Sequence, residues 1–296
     1  MTVPRIASPW VRIVEDSDRC LHDCCVFRDS MRIWHCTGTF SAAGDHADET
    51  QAGASFYHCT GRGIGERMTR NPDITITTSA AADTPDGAAL RCPRVVFDGR
   101  EFHLLFVRGD GQVLHARSGD ANRWDSPAVE AFADTQVVGP SIVRVRNLWC
   151  MYYCQTQSIN GAVRSCVVLR TSLHLTQWSP PKVIYVADAD LSEAGTHLAG
   201  PILVRGPGGF YLLLGRDRHD GEGPDLAPAE VFFSQRHDRF AWGDKNCLSQ
   251  LPDIGEAPSV FETTGGLYLA RIAASSDSPG RGVEIARLQF DGQAPC

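Results

Sequence analysis

Two acidic residues stand where a carboxylate could do acid/base chemistry. Glu256 precedes Ala257-Pro258, a small residue and a proline that lead into an apolar strand. Asp23 precedes an apolar strand in the same way, with Cys24 in place of the proline. Two carboxylates in one confined pocket repel each other and lose hydration, which raises one pKa and leaves an acid beside a base. We therefore predict that Asp23 and Glu256 form a catalytic pair.

Histidines and other polar residues lie near the same strand ends. His22 adjoins Asp23, and His197 precedes a later proline step; both are catalytic candidates because imidazole is the usual proton donor near neutral pH. The alternative for Glu256 is that it forms a salt bridge with an arginine near the same strand ends, such as Arg91. An aromatic face suits a sugar or another flat apolar ligand. The candidate substrate-binding residues are Trp34, His58, Arg91, Arg216, Asp217 and Glu230.

An internal repeat sets these positions. Each copy reads small residue, Pro, strand, tight turn and aromatic strand, and the first copy is degenerate because Cys24 replaces its proline. A second mark follows the repeat: a serine with an aromatic residue six positions later, at Ser118 and Trp124, Ser172 and Trp178, and Ser234 and Phe240. The copies begin near Asp23, Cys92, Gly139, Gly200 and Ala257.

The repeat predicts the fold. An apolar run that returns through a short polar turn is a hairpin, and four-stranded sheets at this period need neighbours on both faces, as in a propeller. Five copies account for all 296 residues, so we predict an all-β fold: a single five-bladed β-propeller over residues 1–296. A β-sandwich is the alternative, but it would not need the recurring proline. Residues 43–55 and 216–228 are predicted to be loops inserted in blades one and four.

This framework resembles glycoside hydrolase family 43 and related furanosidases. The resemblance implies an axial funnel with an Asp in an (H/R)DP motif as general base, a third-blade Asp as pKa modulator and a Glu in an EGP motif as general acid, as in inverting hydrolysis. His22-Asp23-Cys24 takes the place of the first motif, so the resemblance implies Asp23 as the base. Gly139 and Ala199 stand where the other two carboxylates are expected.

Three functions stay open at this point. The first is a glycosidase-like enzyme that acts on a small sugar, glycoside or sugar-like metabolite with Asp23 and Glu256. The second is a non-hydrolytic acid/base enzyme of small-molecule biosynthesis, such as a cyclase, dehydratase or isomerase, since one fold hosts unrelated reactions. The third is a catalytically inactive binding propeller, which the residues at Gly139 and Ala199 favour. All three take a small-molecule ligand, and none needs a cofactor.

Composition narrows the partners and the compartment. The formal net charge of −7 comes from mixed acids and bases, which disfavours nucleic acid as a partner. The sequence has no apolar run long enough for a transmembrane helix, so no membrane partner is expected. Residues 1–20 lack the apolar region of a signal peptide, and we therefore expect a cytoplasmic protein.

The cysteines fit that compartment. Eleven are present, and in a reducing cytoplasm they serve as small apolar residues rather than disulfides. No CxxC pair faces a second pair at zinc-like spacing, so no metal site is predicted. Cys24 would act as a nucleophile only with a base such as His22 beside it.

We predict that thiol titration of the denatured, unreduced protein will count close to the full complement of eleven cysteines. A count near one would mean that the chain matures in an oxidising compartment.

Overall fold

The repeat folds as an all-β propeller. The computed structural model describes residues 2–42, 55–77, 89–109, 111–191, 196–218, 228–252, 254, 258–274 and 281–291. Five antiparallel sheets form the blades, which confirms the predicted fold class. Within these ranges the single helical segment is a 3₁₀ turn at Asp244–Asn246, and no helix there could cross a membrane.

Each of the first four blades is an antiparallel meander whose first strand is innermost. Blade one contains Cys25–Arg28, Trp34–Gly38, Ser55–Gly61 and Thr69–Arg70, and the short strand Ile74–Thr75 also pairs with the third of these. A separate two-stranded sheet consists of Arg19–Leu21 and Phe40–Ala42. Blade two contains Leu90–Phe97, Phe102–Arg108, Gln112–Ser118 and Val129–Ala133. Blade three contains Val138–Val145, Leu148–Ile159, Ala162–Ser172 and Lys182–Asp190. Blade four contains Thr196–Gly206, Gly209–Arg218, Ala229–Ser234 and Ser249–Leu251.

The fifth blade joins the two ends of the chain. Its C-terminal strands are Ser259–Thr263, Gly266–Ala274 and Arg281–Phe290. The N-terminal strands Pro4–Ile6 and Val11–Glu15 both pair with the last of these strands. The inner strands of successive blades contact each other, and blade five contacts blade one, so the ring is closed. In the described ranges, closure gives every blade a neighbouring blade on both faces.

One hydrophobic cluster fills each of the five interfaces between blades. The serine and aromatic marks belong to these contacts. Trp178 of blade three meets Phe132 of blade two edge-on, with ring centroids 5.8 Å apart, and Phe240 is buried between blades three and four. Ser172 and Ser234 accept backbone N–H groups two residues later, so the serine shapes the turn that carries the aromatic ring inward.

The small-residue and proline step is a β-bulge. The register of the inner hairpin shifts at this step in blades two, three and four. The residue before the proline is left-handed in all three, with φ of 53° at Cys92, 55° at Gly139 and 54° at Gly200. A Cβ on Gly139 would also lie 2.5 Å from the amide nitrogen of Gly200. Glycine is therefore required at 139 by both conformation and space.

One predicted loop is shorter than expected. Residues 216–218 continue the strand Gly209–Arg218 because they pair with Thr196–Leu198 of the inner strand. Blade four thus extends beyond the bulge as a two-stranded arm. The stretches 43–54 and 219–227 lie outside the described residues, and Ser55 already belongs to a strand.

The substitution Gly139→Ala tests the crowding at the axis. We expect it to lower the free energy of unfolding by at least about 2 kcal/mol, because alanine in a left-handed conformation adds to the steric conflict with Gly200. Urea denaturation provides the measurement. In the control Gly119→Ala the new methyl group meets no heavy atom within 4 Å. Equal stability of the two variants would contradict the close approach of blades three and four.

Candidate functional site

Asp23 lies at the end of the propeller axis where the inner strands bulge at Cys92, Gly139 and Gly200, which we call the bulge end. Other protein groups hold its side chain in place. Its side chain is only 3% exposed. Oδ1 accepts the backbone N–H of Thr39 at 2.7 Å, while Oδ2 accepts the Thr39 hydroxyl at 2.9 Å and the backbone N–H of Cys92 at 2.7 Å. The carboxylate therefore joins blade one to blade two, with both oxygens engaged. Its role as a catalytic base remains a prediction, and this geometry favours a structural role.

The surroundings of Asp23 are tightly packed. Tyr57 donates its hydroxyl to the backbone oxygen of Asp23 at 2.8 Å, and a Cβ on Gly38 would lie 1.9 Å from that oxygen. The adjacent Cys24 is fully buried, and burial raises the pKa of its thiol to about 12. A thiol with that pKa stays protonated at neutral pH, so the geometry gives no support to Cys24 as a nucleophile.

His22 and Arg91 flank this carboxylate. Both are half-buried. The His22 Nε2 lies 2.9 Å from the Ser41 hydroxyl, and its backbone N–H donates to Thr39. Arg91 donates to the backbone oxygen of Gly109 at 2.7 Å. The structure thus brings His22, Asp23 and Arg91 to one end of the axis, because Arg91 immediately precedes the residue whose N–H binds Asp23.

The blade-four candidates lie on the arm beyond the bulge. His197 is half-buried and pairs in register with Asp217, whose side chain lies outside the described part of the chain. Ala199 pairs with Gly215 immediately before the bulge and offers no polar side-chain atom. Glu256 also lies outside the described residues, so its predicted pairing with Asp23 stays a prediction.

Arg216 and Glu230 bind each other. The guanidinium of Arg216 contacts Glu230 at 2.8 Å and Asp244 at 2.7 Å, and Tyr185 donates to the same Asp244 oxygen at 2.9 Å. Burial opposes the charge, yet the two carboxylates raise the pKa of Arg216 above its usual value. Both predicted substrate-binding residues are therefore engaged in an ion-pair network on blade four.

Trp34 and His58 lie inside the propeller rather than on the channel wall. Trp34 is 4% exposed and meets Phe261 edge-on in the cluster between blades five and one, with ring centroids 5.5 Å apart. His58 is 2% exposed and its Nε2 lies 2.9 Å from the Nδ1 of His35. Neither side chain lines the axial cavity that the described residues enclose. Sequence alone could not tell which face of each strand looks toward a neighbouring blade.

The His58 contact belongs to a repeated motif that sequence reasoning missed. In blade one, Asp29 lies 3.3 Å from His35, which stacks on His58. Blade two repeats the arrangement: Asp98 lies 3.2 Å from His103, which stacks on His115 with an Nδ1 to Nε2 distance of 2.9 Å. The signal was available, because each copy has an aspartate in the first turn and a histidine in the strand that follows.

The described residues contain no cluster of His, Cys, Asp and Glu side chains suited to a metal ion. Ten cysteines lie in the described ranges, and all ten are free thiols.

Comparison with known proteins identifies the fold. No family model matches the chain, and no curated protein matches it. Solved structures do match. A thermostable family-43 glycoside hydrolase is 13% identical with a TM-score of 0.66, and the match covers 94% of this chain and 95% of that one. A GH43_1 enzyme from Xanthomonas citri complexed with xylose is 13% identical with a TM-score of 0.62, covering 94% and 89%.

A third match is the α-L-arabinanase of Penicillium chrysogenum complexed with arabinobiose, at 12% identity and a TM-score of 0.60, covering 95% of this chain and 97% of that one. The chain therefore has the five-bladed scaffold of family-43 hydrolases, as its motifs predicted. At these identities the likeness establishes the fold.

The substitution Asp23→Asn tests the role of this carboxylate. We expect the free energy of unfolding to fall by about 2–3 kcal/mol. The amide NH₂ of asparagine would face protein donors that the carboxylate now accepts, so buried N–H or O–H groups would be left unpaired. Urea denaturation of this variant and of the exposed control Asp18→Asn gives the comparison. Unchanged stability together with loss of a catalytic activity would identify Asp23 as a base instead.

The two buried histidine pairs predict that the stability of the fold decreases in acid. Burial, reinforced by the neighbouring histidine, lowers the pKa of His58 and of His115 from 6.5 to about 4. The unfolded chain therefore binds more protons between these values. Stability is fully present above pH 6.5 and falls as the pH drops toward 4, by on the order of 3 kcal/mol per histidine.

Urea titrations at several pH values between about 7 and 4 measure this slope. We expect the double substitution His58→Gln and His115→Gln to flatten it, and the control His174→Gln, at an exposed residue, to leave it unchanged. A slope equal in the wild type and the double variant would contradict the assignment.

Proposed function

We propose that the bulge end of the axis binds a small sugar or sugar-like molecule without hydrolysing it through the family-43 carboxylates. The observation that carries this proposal is the state of Asp23, whose two oxygens accept three hydrogen bonds from protein groups. An inverting glycosidase needs a carboxylate that can take a proton from water and a second one that can give a proton to the leaving group.

The other two family positions support the same proposal. Gly139 has a left-handed backbone pressed against Gly200, and Ala199 has a methyl group where the resemblance implies the general acid. A methyl group can neither donate nor accept a proton. The choice of a sugar rests on the scaffold, since structures with this fold hold xylose and arabinobiose.

A second candidate is an acid/base enzyme, either a glycosidase-like one or a cyclase, dehydratase or isomerase. The observation that favours it is the register of Glu256, which precedes Ala257-Pro258 as an acid would in the fifth copy of the repeat. His22 of blade one and His197 of blade four are half-buried imidazoles and would supply the partner for proton transfer.

Binding and turnover distinguish the two candidates. We expect xylose and arabino-oligosaccharides to bind in calorimetry, and nitrophenyl xylosides and arabinofuranosides to release no nitrophenol above the buffer rate. Release that Glu256→Gln abolishes would support the enzyme and overturn the binding proposal. Glu262→Gln is the matched control, because Glu262 lies within the strand Ser259–Thr263, six residues after Glu256 in the sequence. Absence of both binding and turnover would contradict both candidates.

A further inference from the structure

A cavity of about 590 Å³ occupies the axial channel on the other side of the bulges. Inner strands of all five blades line it, from the residues just after each proline step to the ends of those strands. Its volume falls within the range of pockets that hold small organic molecules.

A belt of polar contacts closes the inner end of this cavity. Arg94 is 5% exposed and donates to the backbone oxygens of Pro140 at 2.6 Å, Cys24 at 3.0 Å and Pro93 at 3.1 Å. Ser141 donates to the backbone oxygen of Pro201. These contacts join blades one to four directly beneath the bulges. His22, Asp23 and Arg91 do not line the cavity, which is therefore distinct from the end that carries Asp23.

The wall and the mouth of the cavity differ in character. The inner strands supply apolar side chains to the wall, such as Ile142 and Val143, and Leu203 and Val204, beside a comparable share of polar surface. At the mouth, Arg144 and Arg205 each stand four residues after their proline, at equivalent positions of blades three and four. Glu262 has the equivalent position in blade five, and Arg287 adds a third guanidinium.

The arginines of the mouth lack acidic partners. Other arginines do have such partners: Arg170 pairs with Asp134 and Arg271 with Glu284, each at 2.9 Å or less. Arg144, Arg205 and Arg287 form no ion pair with any side chain in the described ranges. The Nε of Arg287 is also buried without a hydrogen-bond partner there.

The geometry of Arg144 leaves its donors free. Its guanidinium lies over the ring of Trp149, 5.3 Å from the centroid. No group in the described ranges accepts a hydrogen bond from this side chain, so its N–H donors can hold an oxyanion. Three positive charges and one negative charge around a concave mouth focus a positive potential there. Arg94 adds a buried positive charge with no carboxylate partner among the described side chains.

We propose that this cavity binds a small amphipathic carboxylate, with its aliphatic body along the apolar side chains of the wall and its carboxylate at the arginine mouth. Guanidinium groups recognise carboxylates through paired N–H donors, and the apolar wall contributes by removing hydrocarbon from water. The proposal does not depend on the sugar site, because the belt around Arg94 separates the two compartments.

Octanoate is the probe, and isothermal titration calorimetry on the whole chain is the measurement. We expect saturable binding of octanoate, with octan-1-ol and acetate each binding at least tenfold more weakly, because each lacks one half of the required chemistry. The double substitution Arg144→Gln and Arg205→Gln should weaken octanoate at least tenfold. The control is Arg100→Gln, an exposed arginine in the first turn of blade two that does not line the cavity, and it should leave the affinity unchanged.

Several results would overturn the proposal. These are an absence of saturable octanoate binding up to about 10 mM, an affinity unchanged in the double variant, or an equal loss in the Arg100→Gln control. Competition between octanoate and xylose would also overturn it, because it would place both ligands in one compartment. Loss of xylose binding alone would contradict the function proposed for the bulge end and leave this cavity unaffected.

Discussion

The structure depends on how closely five inner strands approach one axis. At the bulges of blades three and four the backbones are so near that a Cβ on Gly139 would lie 2.5 Å from the nitrogen of Gly200. Both residues are left-handed, so glycine meets two demands at once. The same crowding removes side chains from a position where the resemblance to family 43 implies a carboxylate. The close packing of the ring thus accounts for the absence of a side chain at position 139.

Blade one differs from the other blades at the equivalent position near the axis. Its step lacks proline, and Asp23 supplies a side chain that accepts backbone N–H groups from Thr39 and Cys92, one in its own blade and one in the next. Charge-assisted hydrogen bonds are stronger than neutral ones, which suits a position that must join two sheets. Cys92 is itself left-handed without being glycine, and its N–H is fixed by Asp23. A residue that resembles a catalytic base is therefore part of the frame.

The sequence predicted what is local and repeated. The small-residue and proline steps located the innermost strands, and a serine with an aromatic residue six positions later located contacts between blades. Both patterns are short in sequence and recur along the chain, so they can be recognised without knowledge of the fold. The partners of Asp23 were out of reach, since Cys92 lies 69 residues away and only the closed ring brings it near. The pairing of Arg216 with Glu230 and the burial of Trp34 likewise depend on which strand face meets a neighbour, which alternation alone does not decide.

The axis is best understood as two compartments divided by one buried cation. Arg94 sits directly after the bulge of blade two, and its guanidinium binds carbonyl oxygens from three blades. A buried charge is tolerated when its donors are satisfied in this way, and removal of the side chain would leave those oxygens unpaired. The belt therefore fixes the strands on both of its sides. Residues at the arginine mouth are for that reason free to diverge, because among the described residues their side chains form none of the hydrogen bonds that join the blades, whereas Asp23 at the bulge end joins blade one to blade two.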